Sequence, residues 1–259
     1  MSHAARLRRL GGMRIAIVGG TGTLGSLVAA ELGQRGNDVR VLSRNTPGYR
    51  VDLTTGDGLE GALDGCDVVV DTSNNSSKRA AEILVGGSRR LLDAERTARV
   101  GHHVCVSIVG CEQVPVGYFQ AKAEQERVVE QGQVPWSTVR ATQFHEYALA
   151  MFSAGARWGV LPVPGARLQT VACAEVAPVV ADVATGTPRK ERITVAGPEV
   201  TGARDLARTW RSVTGRRVAL VPVAVPGKLG RALRGGALTT ARPDVRGTVT
   251  FGDWLAARR

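Results

Sequence analysis

The chain has 259 residues, a formal charge of +11 and 43% hydrophobic residues, enough to bury the core of one large α/β domain or of one domain with a small appendage. No apolar run reaches the roughly 18 residues that a membrane span needs, and no charged-then-apolar leader opens the sequence, so a soluble, cytoplasmic protein is expected. Cys66, Cys105, Cys111 and Cys173 form no CxxC pair and have no His at ligand spacing, which points to reduced thiols and no metal site.

Aromatics are only 4% of the chain, so Val, Ala and Leu must fill the core. Four of the 34 basic residues are Lys; the arginines are scattered, with clusters at Arg6–Arg9, Arg89-Arg90, Arg216-Arg217 and the C-terminus. They follow no nucleic-acid reading motif, and no nucleic-acid partner is expected.

Residues 1–12 are basic and unpatterned and read as a disordered extension, or as a lead into a native start at Met13. Arg14–Val18 then reads as a buried strand, Leu24–Arg35 as a helix and Val39–Leu42 as a second strand. A short third strand is expected near Arg50–Leu53 and a fourth at Asp67–Asp71. The stretch from Leu42 to Val51 is too short for a full helix, so that crossover is a loop. Ser77–Arg99 reads as a long helix despite Gly86-Gly87, and Val104–Val109 as a fifth strand. A helix follows over Tyr118–Gln131, with Glu124, Glu126 and Arg127 on its polar face, then a sixth strand at Ser137–Arg140. This alternation predicts a Rossmann-type α/β fold, a doubly wound parallel sheet covered by helices, over residues 13–145.

Beyond residue 145 prolines punctuate the pattern. A short strand and helix are expected over Thr170–Val183, and a strand at Ile193–Val195. A helix over Thr201–Val213 has Thr201 as its N-cap, and a strand follows at Val218–Val221. Residues 146–259 read as a smaller, irregular substrate-binding region packed on the first.

The motif with the clearest chemistry follows the first strand. Gly19-Gly20-Thr21-Gly22-Thr23-Leu24-Gly25 joins that strand to the next helix. Gly19 permits the tight turn, Gly22 lets backbone approach a pyrophosphate, and Gly25 allows close helix packing. The helix N-terminus offers N–H groups and a positive dipole end to phosphates, and the hydroxyls of Thr21 and Thr23 add donors. A glycine triad in this strand–turn–helix context indicates a nicotinamide dinucleotide. The second strand ends in Ser43-Arg44. NAD binders place a carboxylate there for the ribose 2′-hydroxyl, whereas a guanidinium suits a 2′-phosphate. NADP(H) is therefore favoured over NAD(H). Asp52 and Leu53 are expected near the adenine, and Thr72, Ser73 and Asn74 follow the fourth strand at its ligand-facing end.

Tyr118-Phe119-Gln120-Ala121-Lys122 is a YxxxK motif. Its spacing puts both side chains on one helix face. An ammonium near a phenol favours the tyrosinate, so Tyr118 can pass a proton to a carbonyl oxygen, and Lys122 can orient the nicotinamide ribose. A solvated helix face is the alternative for this pair.

These motifs resemble the short-chain dehydrogenase/reductase superfamily, and in particular its atypical branch of NmrA-like and related NAD(P)H-binding proteins. The resemblance rests on GGTGTLG at 19–25, LSR at 42–44, VDTSN at 70–74, VSIVG at 106–110, YFQAK at 118–122 and PWSTVRATQF at 135–144. The stretches Ala196-Gly197-Pro198 and Gly227-Lys228-Leu229-Gly230-Arg231 extend it. It implies a Ser or Thr just after the fifth strand as a third catalytic residue. Ser107 is the one hydroxyl there, though Ile108 stands close to that register, and a cofactor-binding or strand-capping role is the alternative. It also implies that Thr142, Gln143 and Phe144 border the nicotinamide, and that a homodimer forms.

Other residues carry less. His145 is read as structural before catalytic. His102-His103 is expected at the surface, at the cofactor-distal end of the fifth strand. The segment 155–164 forms a substrate wall or a plain loop. Trp136, Trp158, Trp210 and Trp254 read as packing residues. The expected function is an NADPH-dependent reductase acting on a small carbonyl, quinone or enone, with Tyr118, Lys122 and Ser107 catalytic. The alternatives are a non-catalytic NADP(H)-binding redox sensor and, against the indication of Arg44, a sugar-nucleotide epimerase.

Overall fold

The computed structural model describes residues 12–156 and 159–258. The basic segment 1–11 and Trp158 lie outside the described residues. In chain order the first half comprises β1 (Arg14–Val18), α1 (Thr23–Gln34), β2 (Asp38–Ser43), β3 (Tyr49–Arg50), α2 (Leu59–Leu63) and β4 (Val68–Asp71). A π-helical stretch, Ala81–Gly86, then runs into α3 (Gly87–Ala98), followed by β5 (His102–Ile108), α4 (Gly117–Gln131) and β6 (Trp136–Ala141). The second half comprises α5 (His145–Gly155), β7 (Val160–Pro164), β8 (Arg167–Leu168), α6 (Cys173–Thr185), β9 (Arg192–Ala196), β10 (Thr201–Gly202), α7 (Ala203–Thr214), β11 (Ala219–Val223), α8 (Gly227–Gly235), β12 (Val245–Arg246) and α9 (Phe251–Ala256).

Eight strands form one sheet in the order β12-β9-β6-β5-β4-β1-β2-β3. β1 runs parallel to both β2 and β4, and the pairs β2–β3, β4–β5 and β9–β12 are also parallel. Strands of such a sheet are covered on both faces and read as continuous apolar runs. Ile15, Ala16 and Ile17 of β1 and Val69 and Val70 of β4 have no exposed surface. From β1 the chain steps outward to β2 and β3, then crosses to β4 on the other side of β1. The reversal creates a switch point beside the carboxyl ends of β1 and β4, where sheets of this kind bind ligands. The connection between β2 and β3 is a loop, as its length requires.

The chain divides into two compact units. Among the described residues, one holds those through Val106 with Ala121–Val139 and Ala177–Arg192; the other holds those within Ser107–Gln120 and Arg140–Val176 and those from Ile193 on. Each has its own core. In the first, Leu42, Leu53, Leu63, Leu91 and Val129 pack with Ala16 and Val18. In the second, α7 presents Ala203, Leu206, Ala207 and Trp210, at the spacing of one helix face, to a cluster with Phe152, Phe251 and Trp254. Trp210 and Trp254 are packing residues, as expected. Among the described residues no helix is long and apolar enough to cross a membrane.

Several local expectations are corrected. His102 and His103 are not at the surface: β5 starts at His102, and both side chains are buried inside it. His103 Nδ1 lies 2.8 Å from Glu95 Oε1 of α3, and neither residue has exposed surface. The polar face expected on α4 is partly interior: Glu126 is buried and lies 3.4 Å from Arg192. The N-cap of α7 is Gly202, because Thr201 pairs with Leu168 in the small β10–β8 ladder. At the start of the Thr170–Val183 stretch Val171 makes only an isolated bridge to Phe144, and the helix starts at Cys173.

The buried histidines make stability depend on pH. His102 contacts Ser137 Oγ at 2.9 Å, and burial pushes its pKa from the usual 6.5 down to about 4. The folded state thus resists protonation that the unfolded chain accepts. Its contribution is complete above pH 6.5 and declines as pH falls from there to about 4, by on the order of 3 kcal/mol. His103 runs oppositely: the Glu95 carboxylate, working against burial, raises it well above 6.5, so its contribution is complete below that pH and declines only as pH rises through the raised value. Urea unfolding at pH 7 and pH 4.5 should therefore show a smaller acid loss for His102→Gln than for the wild-type protein. Equal losses would contradict this role.

Candidate functional site

The glycine loop lies at the switch point, and its geometry follows from contacts too close for side chains. Gly19 has φ +73°, a left-handed value that suits glycine. A Cβ there would come within 3.1 Å of the Thr72 main chain and hydroxyl. At position 25 a Cβ would collide with the Gly19 carbonyl oxygen and stand 2.7 Å from Thr72 Oγ1. The first turn of α1 is thus seated directly on the ends of β1 and β4. Thr72 completes the joint by donating from its main-chain N and its hydroxyl to the Val18 carbonyl, at 3.0 and 2.7 Å.

The same packing leaves the start of α1 open. Gly22 is the N-cap, it makes no side-chain cap bond, and the first turn carries no acidic residue. Ser26 N donates to Gly22 O at 2.9 Å, so the N–H groups of Thr23, Leu24 and Gly25 have no acceptor inside the helix. Thr21, Gly22 and Thr23 are exposed, whereas Leu24 is buried in the packing. Thr21 Oγ1 donates to Ser43 Oγ at 2.9 Å, and Gly19 N to Leu42 O at 3.0 Å, tying the loop to the end of β2. Free N–H groups, a positive dipole end and no Cβ in the way suit the pyrophosphate of a dinucleotide.

Arg44 is exposed beside this joint. Asp52 Oδ1 accepts from Thr54 N at 2.8 Å; that bond, with the nearby charges of Arg44 and Arg79, holds the Asp52 carboxyl below its usual range. Leu53 is buried in the first unit's core, against Gly87 of α3. Ser73 is buried after β4, its N donating to Asp71 Oδ1 at 2.8 Å, while its hydroxyl has no partner among the described residues. Asn74 follows, exposed.

Tyr118 is half-buried on the first turn of α4, its ring 5.1 Å from that of Phe119. Lys122, one turn on, is buried, and Nζ lies 3.1 Å from the Ser73 carbonyl, 3.1 Å from the Val106 carbonyl and 3.0 Å from Gln125 Oε1. The YxxxK spacing alone does not reveal the side chains that surround this ammonium. Gln125 Nε2 donates to Asp71 Oδ2 and Ser88 Oγ, both at 3.0 Å, and Asp71, Ser88 and Gln125 have no exposed surface. The i,i+3 spacing of Lys122 and Gln125 was the only signal in the sequence.

In the second unit Ser107 is buried on β5, its hydroxyl without a partner among the described residues. Thr142 Oγ1 accepts from Gly197 N at 3.2 Å. Gln143 accepts from Gln169 N at 3.0 Å and donates to Leu238 O at 2.8 Å, so both ends of its amide are engaged. Phe144 is the N-cap of α5. His145 is structural: it is buried, 5.6 and 5.4 Å from the rings of Phe251 and Trp254, with Nε2 3.1 Å from Val249 O, and burial lowers its pKa. The four cysteines are free and buried.

A switch-point glycine loop feeding an open helix start defines a dinucleotide-binding Rossmann protein. A family model described as NAD(P)H-binding matches residues 19–186, and the chain belongs to that family. Its fold is similar to that of an NADPH-dependent quinone oxidoreductase of Escherichia coli solved with NADPH, with a TM-score of 0.78 and 17% identity over 94% of this chain and 99% of that one. A nucleoside-diphosphate-sugar epimerase of Staphylococcus aureus gives a TM-score of 0.78 and 15% identity over 94% and 100%. The photosystem II assembly factor Ycf39 of Trieres chinensis is 26% identical over 156 residues, 54% of this chain, and the chain spans about half, 49%, of that relative's length.

The cradle makes a direct prediction. Gly25→Ala places a methyl against the Gly19 carbonyl and lifts the helix start. NADPH affinity, read by fluorescence titration, should fall at least about tenfold, or about 1.4 kcal/mol. Unchanged affinity would mean the phosphates bind elsewhere.

Proposed function

We propose that this protein is an NADPH-dependent reductase of small carbonyl, quinone or enone acceptors. The observation that carries this reading is Tyr118 one helical turn ahead of the buried Lys122 ammonium. The open start of α1, with Gly19, Thr21, Gly22, Thr23 and Gly25, would hold the pyrophosphate. Leu24 supports that turn from below. Arg44, with Ser43 beside it, would pair the 2′-phosphate and select NADPH over NADH; Asp52 and Leu53 would flank the adenine. Thr72, Ser73 and Asn74, with Thr142, Gln143 and Phe144, would border the nicotinamide half. Residues 146–259 would shape the acceptor pocket.

NADPH, when bound, would supply the two reducing electrons as a hydride for the electrophilic carbon of the acceptor. Tyr118 donates its phenolic proton to the acceptor oxygen, and solvent returns that proton, so each turnover consumes one proton from the medium. The Lys122 charge stabilises the transient tyrosinate. The Ser107 hydroxyl assists by donating to the same acceptor oxygen.

One observation favours a second reading. All three Lys122 protons have acceptors inside the protein, an arrangement that also suits an NADP(H)-binding sensor without turnover.

NADPH oxidation against a panel of quinones, ketones and enones, with NADH in parallel, separates the two. Tyr118→Phe should cost roughly 10²–10⁴-fold in turnover, and unchanged turnover would sink the mechanism. Arg44→Ala should reduce the preference for NADPH about tenfold, the loss of one charge-assisted contact; an intact preference would remove Arg44 from cofactor selection. Tight NADPH binding with no turnover on any acceptor would favour the sensor.

A further inference from the structure

A buried ammonium is costly unless it is hydrogen-bonded and its charge is balanced. Lys122 is 3% exposed. Its three donors are matched by three acceptors, of which only Gln125 Oε1 is a side chain. None of the three is charged, so the balancing charge lies one step further, at Asp71, and Gln125 spans the gap. The orientation of its amide is dictated by its neighbours. An ammonium only donates and a carboxylate only accepts, so the oxygen must face Lys122 and the nitrogen Asp71. The Asp71 carboxylate is in turn held by Ser73 N at 2.8 Å and by Ser88 Oγ at 3.4 Å.

From this geometry we propose that Gln125 is a positioning residue for Lys122: it couples the ammonium to the Asp71 carboxylate and so fixes the cation between the carbonyls of Ser73 and Val106. Those carbonyls belong to the segment after β4 and to the C-terminal part of β5, adjacent strands at the ligand-facing end of the sheet. Lys122 therefore joins two strand ends while holding its charge one turn from Tyr118. Gln125 does not touch a reacting atom; it acts through Lys122. The consequence for turnover rests on the reductase reading, whereas the positioning of the ammonium does not.

Gln125→Met keeps the volume and removes all three side-chain hydrogen bonds, to Lys122, Asp71 and Ser88. Asp71→Asn keeps the shape but lets the Gln125 amide turn over, and it serves where the first variant does not fold. The direct readout is the ¹H–¹⁵N correlation spectrum of lysine ammonium groups, with Lys122 assigned by its loss in Lys122→Arg. The wild-type protein should show a solvent-protected Lys122 signal that is absent from either variant. In turnover, kcat should fall about tenfold while KM for NADPH stays within about twofold, and the alkaline limb of the pH profile should move upward as the tyrosinate loses its support. A folded variant that keeps the protected signal and the wild-type alkaline limb would overturn the proposal. If the wild-type protein turns over no acceptor, the reductase reading fails, and the ammonium signal alone decides the role of Gln125.

Discussion

The rest of the structure depends on a contact between backbones. Gly25 of α1 rests on the Gly19 carbonyl and beside the Thr72 hydroxyl, with no room for a Cβ. This contact seats the helix on the ends of β1 and β4. It also aims three N–H groups without helical acceptors at the point where strand order reverses. The requirement for glycine and the capacity to bind a phosphate therefore have one origin. A larger side chain at position 25 disturbs both at once.

A second constraint is electrostatic. The first unit buries Asp71, Lys122, Glu95 and His103 with little or no exposed surface. Such groups persist only where the partners are closely set. Glu95 and His103 meet directly at 2.8 Å, whereas Lys122 and Asp71 are joined through an amide. The direct pair is an element of the core. The relayed pair reaches the ends of β4 and β5, and it ties core rigidity to the cofactor-facing edge of the sheet.

What was legible in the sequence follows from the range of each interaction. Strands buried on both faces appear as apolar runs, so β1, β4 and the core of β5 could be placed without tertiary information. The glycine loop was legible because each glycine answers a local steric need, and the family match over residues 19–186 agrees with it. Interactions that close through space were hidden. The surface expectation for His102 and His103 failed because their burial depends on Glu95, Ser137 and the neighbouring strands. Glu126 reads as part of a polar helix face with Glu124 and Arg127, and Gln125 carries no reading of its own, since helical spacing alone does not reveal which polar residues meet interior partners. The short helices α5, α8 and α9 passed unnoticed for a similar reason. Phe251 and Trp254 of α9 are buried against α7 and α5, and packing of that kind, more than intrinsic propensity, stabilises a six-residue helix.

Function in this protein depends on the dinucleotide cradle at the start of α1, for which the decisive experiment is calorimetric titration of the purified wild-type protein with NADPH and with NADH. Saturable binding at one site per chain is expected, tighter for NADPH than for NADH. Absence of saturable binding to either nucleotide up to about 1 mM, a free energy weaker than about −4 kcal/mol, would contradict it.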